Sequence, residues 1–189
     1  MKLVKNLLLL AFAATLTVAC DDNEAEEIEV LPYGYAYAEV NNAVSGGKVT
    51  ANMLFFGLST VTTVSTGSVF PDDTALFEIE PAADGKLYLY MHATRFAVGM
   101  PAVEMRIPQI DYATQGAGAK FTLSLAEINP ENYNEDAHAW QSNSNFKITD
   151  LQGTVDNLNC SVTFTCTRKM GTKSVAFAVV YSGRLLVKK

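Results

Sequence analysis

Alternation of apolar and polar residues with a period of two is the feature that most restricts how this chain can fold. The stretch 160–166 places Cys160, Val162, Phe164 and Cys166 on one face and only Ser and Thr on the other. Such alternation is typical of a β-strand whose two faces have different surroundings. Eight to ten segments alternate in this way, and no long segment has the i, i+3, i+4, i+7 spacing of an amphipathic helix. The sequence therefore predicts an all-β domain.

The predicted strands are joined by short links, as in a chain of hairpins. They cover 33–40, 48–56, 58–70, 74–80, 86–96, 102–112, 120–128, 146–155, 158–168 and 173–186. Consecutive strands with short links form an antiparallel meander, which either closes into a barrel or splits into a sandwich. We favour a single barrel of about eight to ten strands, because no crossover between two sheets is apparent.

Two prolines interrupt the alternation. Pro71, followed by two aspartates, predicts a break between two strands. Pro108 lies within the strand predicted over 102–112 and cannot donate a hydrogen bond to a neighbouring strand. It therefore indicates an edge strand or a β-bulge.

The first nineteen residues have the pattern of a secretion signal. Lys2 and Lys5 precede an apolar run over 7–14, and Ala19 stands directly before Cys20. This run is far shorter than the ~20 apolar residues of a bilayer-spanning helix, so a permanent transmembrane anchor is the weaker interpretation. A small residue before a cysteine also resembles the processing site of bacterial lipoproteins, whose cysteine is acylated. We therefore expect removal of residues 1–19 and membrane attachment through acyl chains on Cys20.

The acidic residues are unevenly distributed. Six of the twenty lie within residues 21–29, which contain no base. Such a run repels itself and stays extended, so residues 20–32 are expected to form a tether and residues 33–189 one domain. Residues 30–189 carry fourteen acids against twelve Lys and Arg without a basic stripe, which argues against a nucleic-acid partner.

Cys160 and Cys166 are predicted to be free thiols on the inward face of one strand. Six residues along a strand separate their Cα atoms by about 20 Å, whereas a disulfide tolerates less than about 7 Å. The two cannot pair with each other. Burial as small hydrophobic side chains is favoured over a metal or redox role.

Candidate catalytic groups are sparse. His92 and His138 are the only histidines, and the Gly-x-Ser-x-Gly, His-Glu-x-x-His and Cys-x-x-Cys motifs are absent. We interpret His92 as a hydrogen-bonded structural residue. His138 lies in a polar stretch beside Glu135 and Asp136, where a solvated loop is favoured over a weak metal site.

One carboxylate pair has a spacing that suits chemistry. Glu78 and Glu80 lie about 7 Å apart on one strand face, close to the separation of glycosidase carboxylates. Their alternation with Phe77 and Ile79 instead predicts an outward, solvated face. We therefore expect no enzyme activity, no metal and no cofactor, and a hydrolase is the weakest alternative.

The aromatic residues are more suggestive of binding. Tyr35 lies on the first predicted strand, Tyr88 and Tyr90 share a face of another, and Trp140 lies in a polar loop predicted over 129–145. Long loops at barrel mouths often bind ligands, and rigid rings with polar tips suit sugars or peptides. We take Trp140, Tyr88, Tyr90 and Tyr35 as candidate ligand-binding residues, with Trp140 near an open barrel end. Ordinary packing is nevertheless favoured over a binding role, because tyrosines at strand period commonly pair across a sheet.

Three stretches carry a family resemblance: Arg95-Phe96 to Met100-Pro101, Met105 to Ile110, and 146–155 leading into 160–166. They resemble the calycin-like lipoprotein domains of Gram-negative gut bacteria, over about residues 33–187. The resemblance implies a lipocalin-like antiparallel barrel on an acylated anchor, without an established activity or site. Acids directly after Cys20 also resemble the surface-export signal of these bacteria, which implies an outer-membrane protein that faces the cell exterior.

These observations together lead to two hypotheses about function. The first is a surface-exposed lipoprotein whose calycin-like barrel is a non-catalytic binding module for a small hydrophobic ligand, a glycan or a peptide. The second is an accessory or structural subunit that docks on another envelope protein through a sheet face. An empty interior of about 300–1,000 Å³ would favour the first, and an interior filled by side chains the second.

Overall fold

Fourteen β-strands make up the regular structure of residues 31–189, the part of the chain that this computed structural model describes. The predicted signal peptide, the lipidation of Cys20 and most of the acidic tether lie outside the described residues. Within them, no helix is long and apolar enough to cross a membrane. The strands are β1 (Tyr35–Tyr37), β2 (Val44–Ser45), β3 (Lys48–Val49), β4 (Met53–Thr63), β5 (Val69–Pro81), β6 (Leu87–Thr94), β7 (Val103–Gln115), β8 (Gly118–Leu123), β9 (Glu127–Ile128), β10 (Glu131–Asn134), β11 (Ala139–Ser142), β12 (Phe146–Asp156), β13 (Asn159–Met170) and β14 (Lys173–Lys188).

Eight of these strands close into an antiparallel barrel. Neighbours along the chain pair from β4 to β8, β8 pairs with β12, and β12, β13 and β14 follow as hairpins. The ring closes where β14 pairs with β4, from Phe177 opposite Thr63 to Leu186 opposite Leu54. The predicted all-β fold and the predicted barrel are both confirmed.

The predicted inward faces form the core. Phe77 and Ile79 are buried in the interior, while Glu78 on the same strand points outward. Cys160 and Cys166 are buried free thiols, as the alternation predicts. Burial raises the pKa of the Cys166 thiol to about 12, so that it stays protonated and unreactive in the folded state.

The interior is filled because glycines make room for rings. The Phe77 and Tyr181 rings stack with centroids 3.9 Å apart and planes 4° apart. A Cβ atom at Gly183 would overlap the Tyr181 hydroxyl, and one at Gly153 would overlap the ring of Phe121. These glycines therefore complement specific aromatic side chains, as expected of a close-packed core.

One end of the barrel is covered by the segment that precedes β4. Its hairpin β2–β3 contributes Val44 and Val49 to the core. Asn41, which is also buried, donates from Nδ2 to the carbonyl oxygen of Asn157 at 2.8 Å, in the turn between β12 and β13. This hydrogen bond fixes the covering segment to the barrel rim.

The opposite end is covered by the link between β6 and β7. Phe96 from this link is 1 % exposed. Its ring centroid lies 5.7 Å from that of Phe177 and 6.2 Å from that of Phe146. Aromatic side chains therefore fill this end from inside.

The structure corrects two predicted strand boundaries and confirms another feature. The division predicted between 48–56 and 58–70 is wrong, because β4 runs from Met53 to Thr63. The break predicted at Pro71 is wrong: β4 ends at Thr63, and β5 runs through Pro71 to Pro81. Pairing between β6 and β7 shifts register near Pro108, and Gln109 has a positive φ of 61°. Pro108 therefore lies at a β-bulge, one of the two predicted alternatives.

Candidate functional site: an aromatic face outside the barrel

The long loop predicted over 129–145 is instead largely a hairpin. Strands β10 and β11 pair with each other, and Glu131 of β10 lies opposite Arg106 of β7. Trp140 lies opposite Tyr133 in the hairpin. Directly opposed residues share a sheet face, and so do residues two apart on one strand. Trp140 therefore shares a face with Tyr133, and through Glu131 with Arg106.

The hairpin brings three of the four candidate ligand-binding residues together. The ring centroid of Trp140 lies 5.3 Å from that of Tyr90 and 5.6 Å from that of Tyr133, and Tyr88 lies 6.1 Å from Tyr90. Tyr35 is not among them, because it lies in β1 opposite Lys188 of β14. We call Tyr88, Tyr90, Arg106, Tyr133 and Trp140 the aromatic face.

The prediction that Trp140 lies at an open barrel end is wrong. Its ring packs against Tyr90 on the outer wall, and both barrel ends are covered by other segments. Tyr90 and Arg106 alternate along their strands with Leu89, Met91 and Ile107 of the core, so their side chains point away from the barrel interior. The aromatic face is therefore an external surface.

Arg106, which sequence reasoning missed, links the members of the aromatic face. Its guanidinium carbon lies 4.3 Å from the ring centroid of Tyr88 and 4.8 Å from that of Trp140. Its Nε donates to Glu131 at 2.5 Å, and Nη1 donates to the Tyr90 hydroxyl at 3.2 Å. Partial burial opposes the charge, but these hydrogen bonds outweigh it and raise the pKa of Arg106. Arg106 therefore stays charged between the rings, where cation–π attraction is favourable.

Tyr90 is the buried centre of this face, with 8 % exposure. Burial raises the pKa of its phenol, and the nearby Glu80 carboxylate acts in the same direction. Tyr90 therefore stays neutral and accepts the hydrogen bond from Arg106. Tyr133 at the rim is 38 % exposed and offers ring surface to a partner.

His92 lies next to the aromatic face between two carboxylates. Its Nε2 lies 3.1 Å from Glu78 and its Nδ1 lies 3.0 Å from Glu104. The hydrogen bond to Glu78 is the main cause of a raised pKa at His92, and the same bond lowers the pKa of Glu78. Both ring nitrogens of His92 are therefore hydrogen-bonded, as the sequence predicts.

This arrangement predicts a pH-dependent stability. Because the pKa of His92 is raised, its ion pairs stabilise the fold fully at pH values below the usual histidine pKa of about 6.5. This stabilisation is lost as the pH rises through the pKa of His92 in the folded state. The lowered pKa of Glu78 means that its contribution is present above about 4.5 and is lost as the pH falls. Replacing His92 with glutamine should therefore cost on the order of 1 kcal/mol near pH 5.5 and less near pH 8.

Denaturant unfolding at both pH values measures this difference. His138 is the matched control, because it is exposed in the turn between β10 and β11. His138→Gln should keep the pH dependence of the wild type. Equal losses of stability for His92→Gln at both pH values would contradict the assigned charge state.

A polar cleft adjoins the aromatic face. It measures about 470 Å³ and is bordered by Tyr88, Gln109, Glu127, Glu131 and Ser142, among others. It is large enough for one long side chain. In residues 31–189 no three His, Cys, Asp or Glu side chains are grouped to hold a metal ion.

Comparison of the chain with protein-family models, with curated proteins and with solved structures found no match. The fold is a closed eight-stranded antiparallel barrel by its own pairing. The candidate site consequently rests on its residues alone: outward rings around a charged arginine, a histidine between two carboxylates, and an adjoining polar cleft.

Proposed function

We propose that this chain is an acylated outer-membrane lipoprotein, exposed at the cell surface, that binds a partner through its aromatic face without catalysing a reaction. In this proposal the chain belongs to the calycin-like lipoprotein domains that its sequence resembles. The single observation that carries the proposal is the distribution of side chains: the barrel interior is filled, while large aromatic residues gather outside it.

The filled interior favours external binding over carriage of a ligand inside the barrel. Four interior side chains, each on a different barrel strand, have 0 % exposed surface: Phe55, Leu89, Ile107 and Ile148. A side chain with no surface accessible to a water-sized sphere borders no space that could hold a water. A ligand inside would have to displace such side chains, and close-packed cores resist that change.

The composition of the aromatic face favours a macromolecular partner. Tyrosine, tryptophan and arginine are the residues most enriched at the centres of protein interfaces, where a few of them carry most of the binding energy. Here Arg106, Trp140 and Tyr133 lie within one external cluster. Arg106 is already ordered by Glu131, so little side-chain entropy remains to be lost on binding.

A glycan is a second candidate ligand. Asn132, Asn134 and Gln141 project from the other face of the hairpin, and Asn134 Nδ2 donates to Gln141 Oε1 at 3.1 Å. They border a second cleft of about 510 Å³. Amide groups suit sugar hydroxyls, because they both donate and accept hydrogen bonds.

The proposed anchor would leave the face free to reach a partner. Residues 20–32 would extend at most about 3.3–3.6 Å per residue, or roughly 45 Å in total.

Site-specific photo-crosslinking in intact cells tests the proposal. A photoreactive residue at position 133 should give a discrete crosslinked species, because Tyr133 is exposed at the rim of the aromatic face. The same residue at position 163 is the control, since Thr163 points outward from β13 on another part of the wall. Trp140→Ala should reduce the crosslink from position 133 several-fold.

Two outcomes would overturn the proposal. One is an equal yield of the same species from positions 133 and 163, which would show that the aromatic face is not selective. The other is stoichiometric, saturable binding of a fatty acid or another small apolar ligand that survives Trp140→Ala and shields interior side chains. That result would place the ligand inside the barrel.

A further inference from the structure

We propose that the free edge of β11 receives an extended, basic peptide segment as an additional strand. This inference rests on the proposed function and specifies the partner of the same site. Strand addition uses main-chain hydrogen bonds for affinity and alternate side chains for specificity.

The backbone of β11 has one unpaired edge within the described residues. The strand pairs with β10 and with no other strand of residues 31–189. The N–H of Asn143 donates to the carbonyl oxygen of Pro130 at 2.8 Å. Because bonded and non-bonded pairs alternate along an antiparallel ladder, Trp140 and Ser142 direct their N–H and C=O groups away from β10. Those groups are available to an incoming strand.

The charge around β11 favours a basic segment. Residues 127–146 contain four acids, at positions 127, 131, 135 and 136, and no Lys or Arg. Lys147, just beyond, binds Glu127 at 2.9 Å. Arg106 of β7 is held by Glu131 and by the rings around it. Glu127 and Glu131 are thus already paired, whereas Glu135 and Asp136 have no cationic partner among the described residues. These two acids would repel an acidic segment at this edge and attract a basic one.

The neighbouring surface provides contacts for alternate side chains of such a strand. A strand beside β11 would project every second side chain over the aromatic face, which includes the exposed ring of Tyr133. A lysine or arginine there gains cation–π attraction from Tyr133 and Trp140. The polar cleft of about 470 Å³, which Ser142 and Glu131 border, can take a second basic side chain.

Fluorescence titration of the purified full-length protein tests this inference, because Trp140 is the only tryptophan. The probes are three short synthetic peptides: alternating Lys and Val, alternating Glu and Val, and alternating Lys and Pro. The Lys-Val peptide should shift the Trp140 emission with an affinity that falls as salt is added. The Glu-Val and Lys-Pro peptides should each bind at least about tenfold more weakly, because one reverses the charge and the other cannot form a strand ladder.

Two substitutions at one position separate backbone pairing from side-chain effects. Ser142→Pro removes the N–H that faces the free edge and should weaken Lys-Val binding at least about tenfold. Ser142→Ala keeps this N–H and should bind like the wild type. If Ser142→Pro does not fold, amide exchange of the wild type replaces it: the Lys-Val peptide should slow exchange at Trp140 and Ser142.

The outcomes distinguish this inference from the proposed function. Equal binding of the Lys-Val and Lys-Pro peptides, or of Ser142→Pro and Ser142→Ala, overturns strand addition. A position-133 crosslink without binding of any basic peptide, or an emission change caused only by glycans, overturns this inference and leaves the proposed function standing. If neither a position-133 crosslink nor peptide binding is observed, the proposed function and the strand-addition inference are both overturned.

Discussion

Replacing Phe77 with alanine is expected to lower the free energy of unfolding by about 3–5 kcal/mol. Phe77 is 1 % exposed and stacks against Tyr181 across the barrel interior. The substitution removes the ring and leaves a cavity, since Tyr181 is held beside Gly183 and the surrounding strands form a closed ring. A closed sheet relaxes little, so most of the cavity should remain.

Guanidinium unfolding followed by circular dichroism measures this effect. Tyr33→Ala is the control, because it also removes an aromatic ring but from a fully exposed position. Its change should stay within about 0.5 kcal/mol. Losses of similar size for the two variants would mean that the interior is not packed around Phe77, and the argument for external binding would lose its basis.

The fold could be predicted to the extent that one face of each strand is buried. In a closed barrel every strand has one face toward the interior and one toward solvent. Buried and more exposed residues therefore alternate without interruption from Cys160 to Cys166 and from Ala75 to Ile79. Register between distant strands could not be predicted. It depends on fits such as Gly153 beneath Phe121, which join residues far apart in the chain.

The hairpin β10–β11 was missed because its pattern is not amphipathic. Amides occupy one face, through Asn132 and Gln141, while Glu131, Tyr133 and Trp140 occupy the other. Both faces carry polar groups, because the hairpin pairs with β7 over only two residues and otherwise lies outside the barrel. The regular alternation of Asn132 and Asn134 around Tyr133 was the available signal.

The candidate site was predicted as residues but not as a cluster. Tyr88 and Tyr90 were assigned to one face from local spacing, yet the contact of Tyr90 with Trp140 depends on pairing between β7 and β10, which are not consecutive. Arg106 gave no separate signal, since a lone arginine on an alternating strand is ordinarily solvated. Tyr35 shares the period of the other tyrosines but lies on β1, which pairs with β14.

Replacing Cys20 with alanine is expected to move the protein from the membrane fraction to the soluble fraction. One acyl chain binds a membrane only marginally, whereas two or more bind it stably, so the proposed multiple acylation of Cys20 would suffice as the sole anchor. Labelled palmitate should be incorporated into the wild type and not into Cys20→Ala. Asn23→Ala, three residues further along the tether, is the control and should retain both label and membrane attachment. If Cys20→Ala stays in the membrane fraction as firmly as the wild type does, the proposed anchor is wrong. The protein would then have to be attached at the cell surface in another way.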